Sequence, residues 1–126
     1  MGQKTRILIA DDDPAYRQLF TYYLTHNGYE VLIAHHGQQV LEWLGDERFR
    51  PDLLVVDLLM PRLSGVEVLH HIKALPYKLP VILVSGAEWQ IVRQGVSLAN
   101  PDAILIKPFE LDELIDTIHA LVPHAC

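Results

Sequence analysis

The sequence predicts an α/β fold in which five parallel strands form one sheet with helices on both of its faces. Five short apolar runs recur along the chain, each rich in Val, Ile or Leu on both alternating positions, as in strands buried on both sides. They are Arg6–Ala10, Glu30–Ala34, Leu53–Asp57, Val81–Ser85 and Ala103–Ile106. Segments with helical periodicity separate the runs. Strands that alternate with helices through short connections imply right-handed crossovers and a parallel sheet.

The first two predicted helices lie between the first three strands. The first begins after Asp13, a good N-cap residue, with Pro14 at the first helical position, and it ends at Gly28. Its predicted inward face consists of Tyr16, Leu19, Phe20, Tyr23 and Leu24. The second runs from about Gln38 to Leu44.

The other three helices follow the third, fourth and fifth strands. Ser64 and Glu67 form a capping-box pattern at the start of the third, and Gly65 is expected to let two backbone segments pass closely there. The fourth covers about 88–98 and contains a glycine, which costs about 1 kcal/mol relative to Ala inside a helix. The fifth is Leu111–Val122.

Length and composition indicate one globular domain, 1–126, with a core at about 4–122. The net charge of −6 and the absence of a basic cluster argue against direct binding to nucleic acid. The longest apolar stretches, 53–56 and 81–84, are too short to span a membrane, and the N-terminus does not resemble a signal peptide. The single cysteine, Cys126, fits a reducing compartment, so we expect a cytoplasmic protein.

Polar residues end or directly follow four of the five strands at the carboxyl edge, where ligands bind in such sheets. They are Asp11 and Asp12, Asp57, Ser85, and Lys107. Crowded carboxylates repel one another unless a cation offsets their charge, and oxygen ligands without His or Cys favour Mg²⁺. The sequence therefore predicts a magnesium site at this edge.

A carboxylate beside Mg²⁺, a lysine and a hydroxyl provides what phosphoryl transfer needs: a positioned nucleophile and neutralised phosphoryl oxygens. Asp57 is the candidate nucleophile because it stands alone at its strand end. Asp11 and Asp12 are paired and better placed to hold the metal ion.

Four segments in order, ILIADDDPAYR, LLVVDLLMPRLSG, VILVSG and ILIKPF, resemble the receiver domain of two-component response regulators. The resemblance covers nearly the whole chain. It implies a doubly wound, flavodoxin-like three-layer sandwich with strand order 2-1-3-4-5 and five helices. It also implies that the chain is a phosphorylation switch rather than an enzyme, with at most slow autodephosphorylation.

The resemblance assigns roles to individual residues. Asp57 would accept a phosphoryl group from the phosphohistidine of a sensor histidine kinase or a histidine phosphotransfer protein. Asp12, Asp57 and the backbone carbonyl of Leu59 would bind Mg²⁺ directly, and Asp11 would bind it through water. Ser85 would be the switch hydroxyl and Lys107 the phosphate contact, with a cis peptide bond before Pro108.

Two positions depart from the usual pattern of the family. Ile104 stands where most members carry Tyr or Phe three residues before the lysine. Leu59 and Ala87 lie two residues beyond Asp57 and Ser85, and neither side chain can orient a water molecule. We therefore expect a longer-lived phosphorylated state than in relatives with Asn or Glu there.

Phosphorylation is expected to change the face made by the fourth helix, fifth strand and fifth helix. Through this face the domain would control a target protein or an effector domain, or would form a homodimer. No segment after Val122 predicts an effector domain, so the chain is either a stand-alone receiver or part of a longer protein. Two alternatives remain open. One is a phosphatase similar to the haloacid dehalogenases, with Asp11 as nucleophile, and the other is a pseudo-receiver that acts only as an interaction module.

Overall fold

A sheet of five parallel strands lies at the centre of the molecule. The computed structural model describes residues 4–60, 63–86 and 101–122. The strands are β1 (Arg6–Ala10), β2 (Glu30–Ala34), β3 (Leu53–Asp57), β4 (Val81–Ser85) and β5 (Ala103–Ile106). Their order is β2-β1-β3-β4-β5, and every neighbouring pair is parallel. The predicted strand bounds, order and orientation are all confirmed.

The described ranges contain four α-helices and one short 3₁₀ helix. They are α1 (Pro14–His26), α2 (Gly37–Leu44), the 3₁₀ helix (Glu47–Phe49), α3 (Gly65–Lys73) and α4 (Leu111–Leu121). The C-terminal helix α4 corresponds to the fifth helix that the sequence predicts, and the predicted fourth helix, about 88–98, lies outside the described residues. Among the helices described here, none has the length and apolar character to cross a bilayer.

Alternate positions of the strands point to opposite faces of the sheet and form two separate cores. The core on one face includes Leu8, Leu54, Leu83, Val40 of α2 and Val68 of α3. The core on the other face includes Ile9, Val55, Val84, Phe20 of α1 and Leu114 of α4. The sheet therefore has α2 and α3 on one side and α1 and α4 on the other, which confirms the predicted three-layer arrangement.

One residue of the predicted inward face of α1 lies on the outside. Phe20 and Leu24 are fully buried, whereas Leu19 is 46% exposed. Residues four apart form a narrow stripe along a helix, and in α1 that stripe runs through Tyr16, Phe20 and Leu24. Leu19 is one position out of phase with it and lines a surface depression with Tyr22.

The start of α3 is fixed by its cap and by a close backbone contact at Gly65. The Ser64 side chain accepts a hydrogen bond from the Glu67 N–H while the Glu67 side chain accepts one from Ser64, which confirms the predicted capping box. Gly65 N–H donates to the Leu58 carbonyl at 2.9 Å. A Cβ atom on Gly65 would lie 2.7 Å from the Asp57 carbonyl oxygen and 2.9 Å from Leu58 Cα. No side chain fits here without displacing the backbone that carries Asp57.

The substitution Gly65→Ala is therefore expected to destabilise the protein by about 1–3 kcal/mol, the usual cost of overpacking, despite alanine's better helix propensity. Urea unfolding would measure the change. Gly45→Ala is the matched control, because a Cβ atom there would lie 3.5 Å from its nearest neighbour, the Leu41 carbonyl oxygen, which is ordinary contact. Equal unfolding midpoints for the two variants would show that the contact at Gly65 imposes no constraint.

Candidate functional site

Three carboxylates meet at the carboxyl edge of the sheet. Asp11 follows β1, Asp12 comes next, and Asp57 is the last residue of β3. β1 and β3 are adjacent, and Ala10 is in register with Val56, so Asp11 lies level with Asp57. One oxygen from each of the three carboxylates lies within 4.8 Å of the others. Asp11 and Asp57 are buried, whereas Asp12 is exposed.

The alternation of the strands explains why Asp11, Asp57 and Lys107 share one side of the sheet. Ile9 and Val55 belong to the core beneath α1 and α4, and Leu105 belongs to the same core. Asp11, Asp57 and Lys107 each lie two residues further along, and a period of two returns the side chain to the same face. The pattern that builds the core thus also gathers the charged groups.

Lys107 is the cation of this cluster. Its Nζ donates to Asp57 Oδ2 at 2.9 Å and to Asp11 Oδ2 at 3.2 Å. Burial disfavours the ammonium form, but the hydrogen bond with Asp57 and the charges of both carboxylates outweigh it and raise the pKa of Lys107 above its usual value. Lys107 therefore stays charged across the physiological range. The peptide bond between Lys107 and Pro108 is cis, as the resemblance implied.

Asp57 is held on both of its carboxylate oxygens. Oδ1 accepts the Leu59 N–H at 3.0 Å, and Oδ2 accepts the Lys107 ammonium. Burial raises the pKa of Asp57, the hydrogen bond from Lys107 opposes the rise, and the charge of Asp11 adds to it, so the pKa lies above the usual value. The ionised carboxylate is thus less stable here than in water, which makes a further cation at this site favourable.

The remaining predicted residues lie around the same edge. A depression of about 320 Å³ is lined by Asp12, Asp13, Asp57, Leu59, Gly86 and Lys107. Ser85 ends β4 and is fully buried, and its Oγ lies 3.4 Å from the Gly86 carbonyl oxygen. The Ser85 carbonyl accepts the Lys107 N–H at 2.6 Å, which joins the ends of β4 and β5. Ala87 lies outside the described residues.

Two contacts at this edge were not predicted from the sequence. The Tyr16 ring, expected only in the core, lies 3.8 Å from Lys107 Nζ. Arg17 Nη1 donates to the Asp11 carbonyl at 2.8 Å and so fixes the backbone after β1. Both residues are in the first turn or so of α1, directly after the aspartates. This position could have indicated the two contacts from the sequence, because side chains of a helix point back toward its N-terminus, where the aspartates lie.

The donor set fits a hard divalent cation. It consists of carboxylate oxygens, and among the residues that the structure describes the Lys107 ammonium contacts two of the three carboxylates, those of Asp11 and Asp57. Two negative charges therefore remain to be offset at this cluster. An ion that prefers a few carboxylates, a backbone carbonyl and water satisfies that requirement, and Mg²⁺ is such an ion.

Fold and site together define a doubly wound α/β domain with an acidic cluster and a lysine at the ends of its strands. Comparison with known proteins identifies the class. A family model described as the response regulator receiver domain matches residues 7–119. The response regulator MprA of Mycobacterium ulcerans is 38% identical over 117 residues, which are 93% of this chain and 50% of MprA. The chain spans half the length of the MprA proteins that it matches.

Solved structures show the same fold. TrrA of Thermotoga maritima, determined in complex with Mg²⁺-BeF, is 32% identical with a TM-score of 0.79 and covers 95% of this chain and 100% of its own. The receiver domain of a Francisella response regulator is 28% identical with a TM-score of 0.83, covering 94% of this chain and 96% of its own. The chain belongs to the response regulator receiver domain family. Members of this family act in two-component signalling as phosphoacceptor switches and not as classical enzymes.

Proposed function

We propose that Asp57 is the phosphoacceptor of this receiver domain and that a sensor histidine kinase or a histidine phosphotransfer protein is its donor. The observation that carries the proposal is the convergence of Asp11, Asp12, Asp57 and Lys107 at one edge of the sheet. Asp57 is the only one of the three aspartates that contacts Lys107 and also lines the open depression. A donor can therefore approach it while the lysine remains in place.

In the transfer step, an Asp57 carboxylate oxygen forms a bond to phosphorus, and the bond from phosphorus to the histidine nitrogen of the donor breaks. The electron pair of that bond stays on the nitrogen. Lys107 would transfer a hydrogen bond from Asp57 to the phosphoryl group, and the Ser85 hydroxyl would turn toward it. Asp12, Asp57 and the Leu59 carbonyl would hold Mg²⁺, with Asp11 binding it through water. Bound there, Mg²⁺ would neutralise charge on the phosphoryl oxygens.

Phosphorylation gives the site roughly two negative charges in place of one. We expect this charge to draw Ser85 and Lys107 inward and thereby to shift β5, because the Lys107 N–H is bonded to the Ser85 carbonyl. The output face would comprise the predicted fourth helix, β5 and α4. Ile106 of β5 is 42% exposed and Ile104 is half-buried, so β5 has an apolar edge that a target protein, an effector domain or a second copy can use.

Intact-protein mass spectrometry after incubation with acetyl phosphate tests the proposal. We expect one phosphoryl group per chain with Mg²⁺ and little without it. Size-exclusion chromatography with beryllofluoride, which mimics the phosphoryl group, would show whether the modified state self-associates. A protein that takes up no phosphoryl group under these conditions would be a pseudo-receiver.

Membership of the receiver family favours Asp57 over the phosphatase alternative, in which Asp11 is the nucleophile. The two differ in a simple assay. A phosphatase would turn over a phosphate monoester continuously, would lose that activity in Asp11→Asn and would keep it in Asp57→Asn. We expect no steady turnover from the unaltered protein.

The phosphorylated state is expected to last longer than seconds in Mg²⁺ without a phosphatase. Leu59 lines the depression beside Asp57 and is 55% exposed, and its side chain has no group that can orient a water molecule toward phosphorus. Decay of the phosphorylated mass after removal of the donor measures the lifetime. Leu59→Asn is the matched variant and is expected to shorten it. A lifetime of seconds in the unaltered protein, or no change in Leu59→Asn, would contradict this prediction.

A further inference from the structure

The ammonium group of Lys107 is enclosed on three sides. Two sides are the carboxylates of Asp57 and Asp11, at 2.9 and 3.2 Å, and the third is the face of the Tyr16 ring, with Nζ 3.8 Å from the ring centroid. The Lys107 side chain is only 16% exposed. An ammonium has three N–H donors and no acceptor, so the two carboxylates and the electron-rich ring face match its chemistry.

The Tyr16 ring is itself held in place by other aromatic rings. Tyr16 packs against Phe20, one turn further along α1, with ring centroids 5.5 Å apart. Phe20 stacks on Phe109 at 6.0 Å, and Phe109 is two residues beyond Lys107. This row of rings connects α1 to the segment after β5. It fixes the Tyr16 face relative to the lysine that the face covers.

We propose that Tyr16 is a positioning residue that holds the Lys107 ammonium through its ring face during phosphoryl transfer. The proposal rests on the proposed function. When an Asp57 oxygen bonds to phosphorus, negative charge moves from the carboxylate to the phosphoryl oxygens, and the ammonium must exchange its hydrogen bond accordingly. The contacts with Asp11 and Tyr16 need not break in that exchange. They keep the lysine at the edge of the sheet while its hydrogen bond moves from Asp57 to the phosphoryl oxygens.

The ring acts by its charge distribution and not by its bulk. A leucine at position 16 would still cover Lys107, but it would offer no partner for the third N–H. A cation over an aromatic face is attracted to the ring quadrupole, and the attraction is larger when the cation is shielded from water, as Lys107 is. Electronic and steric contributions can therefore be separated by changing the ring without changing its shape.

The first test is the initial rate of phosphorylation by acetyl phosphate with Mg²⁺. We expect Tyr16→Leu to be slower by roughly 5- to 30-fold and Tyr16→Phe to remain within about twofold. Pentafluorophenylalanine at position 16 keeps the shape of phenylalanine but reverses the quadrupole, and it should be as slow as leucine. Tyr22→Leu, on the same helix and 65% exposed in the unaltered protein, is the control and should leave the rate unchanged. In a Lys107→Met background, Tyr16→Leu should have no further effect.

The second test needs no phosphorylation. In the magnesium-free protein, NMR should show the Lys107 Hε protons shifted upfield by the ring and the Lys107 side chain well ordered. Tyr16→Leu should remove the shift and lower the order parameter. An unchanged order parameter, or equal rates for the phenylalanine and pentafluorophenylalanine variants, would overturn the inference. If the unaltered protein takes up no phosphoryl group, the proposed function fails and with it the role in transfer, whatever the NMR result.

Discussion

Replacing Asp57 with asparagine is expected to abolish phosphorylation while making the protein more stable. The amide cannot act as a nucleophile toward phosphorus, so incorporation from acetyl phosphate should fall by roughly two orders of magnitude or more. The amide is also uncharged, so it removes the repulsion between the buried carboxylates of Asp57 and Asp11. The variant would thus lose the modification while remaining folded, so unfolding could not explain the loss.

The stability gain in Asp57→Asn should depend on pH. The pKa of Asp57 in the folded protein lies above its usual value, chiefly because the group is buried. An ionised Asp57 therefore opposes folding at neutral pH, and the penalty disappears as pH falls through the folded-state pKa. We expect the variant to exceed the unaltered protein in unfolding free energy at pH 7 and the difference to shrink in acid. Urea unfolding in EDTA measures this.

Glu42→Gln is the matched control for this comparison. It also removes one carboxylate, but Glu42 is exposed on α2. Its stability should remain within about 0.5 kcal/mol of the unaltered protein at every pH. Asp57→Asn that is less stable than the unaltered protein at pH 7, or that still accepts a phosphoryl group, would contradict the account.

Replacing Lys107 with methionine is expected to be the most destabilising change at the site. It leaves Asp11 and Asp57, whose side chains are only 2% and 10% exposed, without their cation. Removing one partner of a buried pair costs roughly 3–5 kcal/mol, and protonation of one carboxyl reduces that cost as pH falls. Phosphorylation should also slow markedly, because methionine offers no ammonium to the phosphoryl group.

Magnesium should restore part of the stability lost in Lys107→Met, since a divalent cation at the carboxylates replaces the missing positive charge. Unfolding in urea with EDTA and with Mg²⁺ would show it. Lys78→Met is the control, because Lys78 is 83% exposed and 4.0 Å from Asp102, and such surface pairs contribute about 0–1 kcal/mol. Equal losses of unfolding free energy in Lys107→Met and Lys78→Met, or no effect of Mg²⁺ on the stability of Lys107→Met, would contradict the proposed role of Lys107 as the cation of the cluster.

The strands and the gathering of charged residues could be predicted from the sequence because both follow from simple periodicity. Runs that are apolar on both alternating positions identify the strands of a parallel sheet covered by helices, and the bounds that they predict are correct at β1 and β5 alike. In a parallel sheet all carboxyl ends share one edge. Asp57 and Lys107, 50 residues apart, therefore had to meet once the strands were correctly placed.

The remaining features depend on side-chain direction and packing, which periodicity does not determine. Leu19 fits an apolar helical face yet lies outside it, because only the stripe through Phe20 packs on the sheet. The Tyr16 ring covers Lys107 because the first turn of α1 leans over the edge of the sheet. His36 is not one of the usual N-cap residue types, yet its Nδ1 accepts the Gln39 N–H at 3.3 Å and caps α2.

Locating the phosphoryl group within the chain tests the central claim most directly. Borohydride converts an aspartyl phosphate to homoserine, which marks the modified residue permanently, and fragmentation of the reduced peptides then identifies its position. We predict homoserine at position 57 in protein treated with acetyl phosphate and Mg²⁺, and none in protein treated without a donor. Homoserine at position 11 or 12 with an unaltered Asp57, or a phosphoryl group found on a histidine instead, would contradict the account.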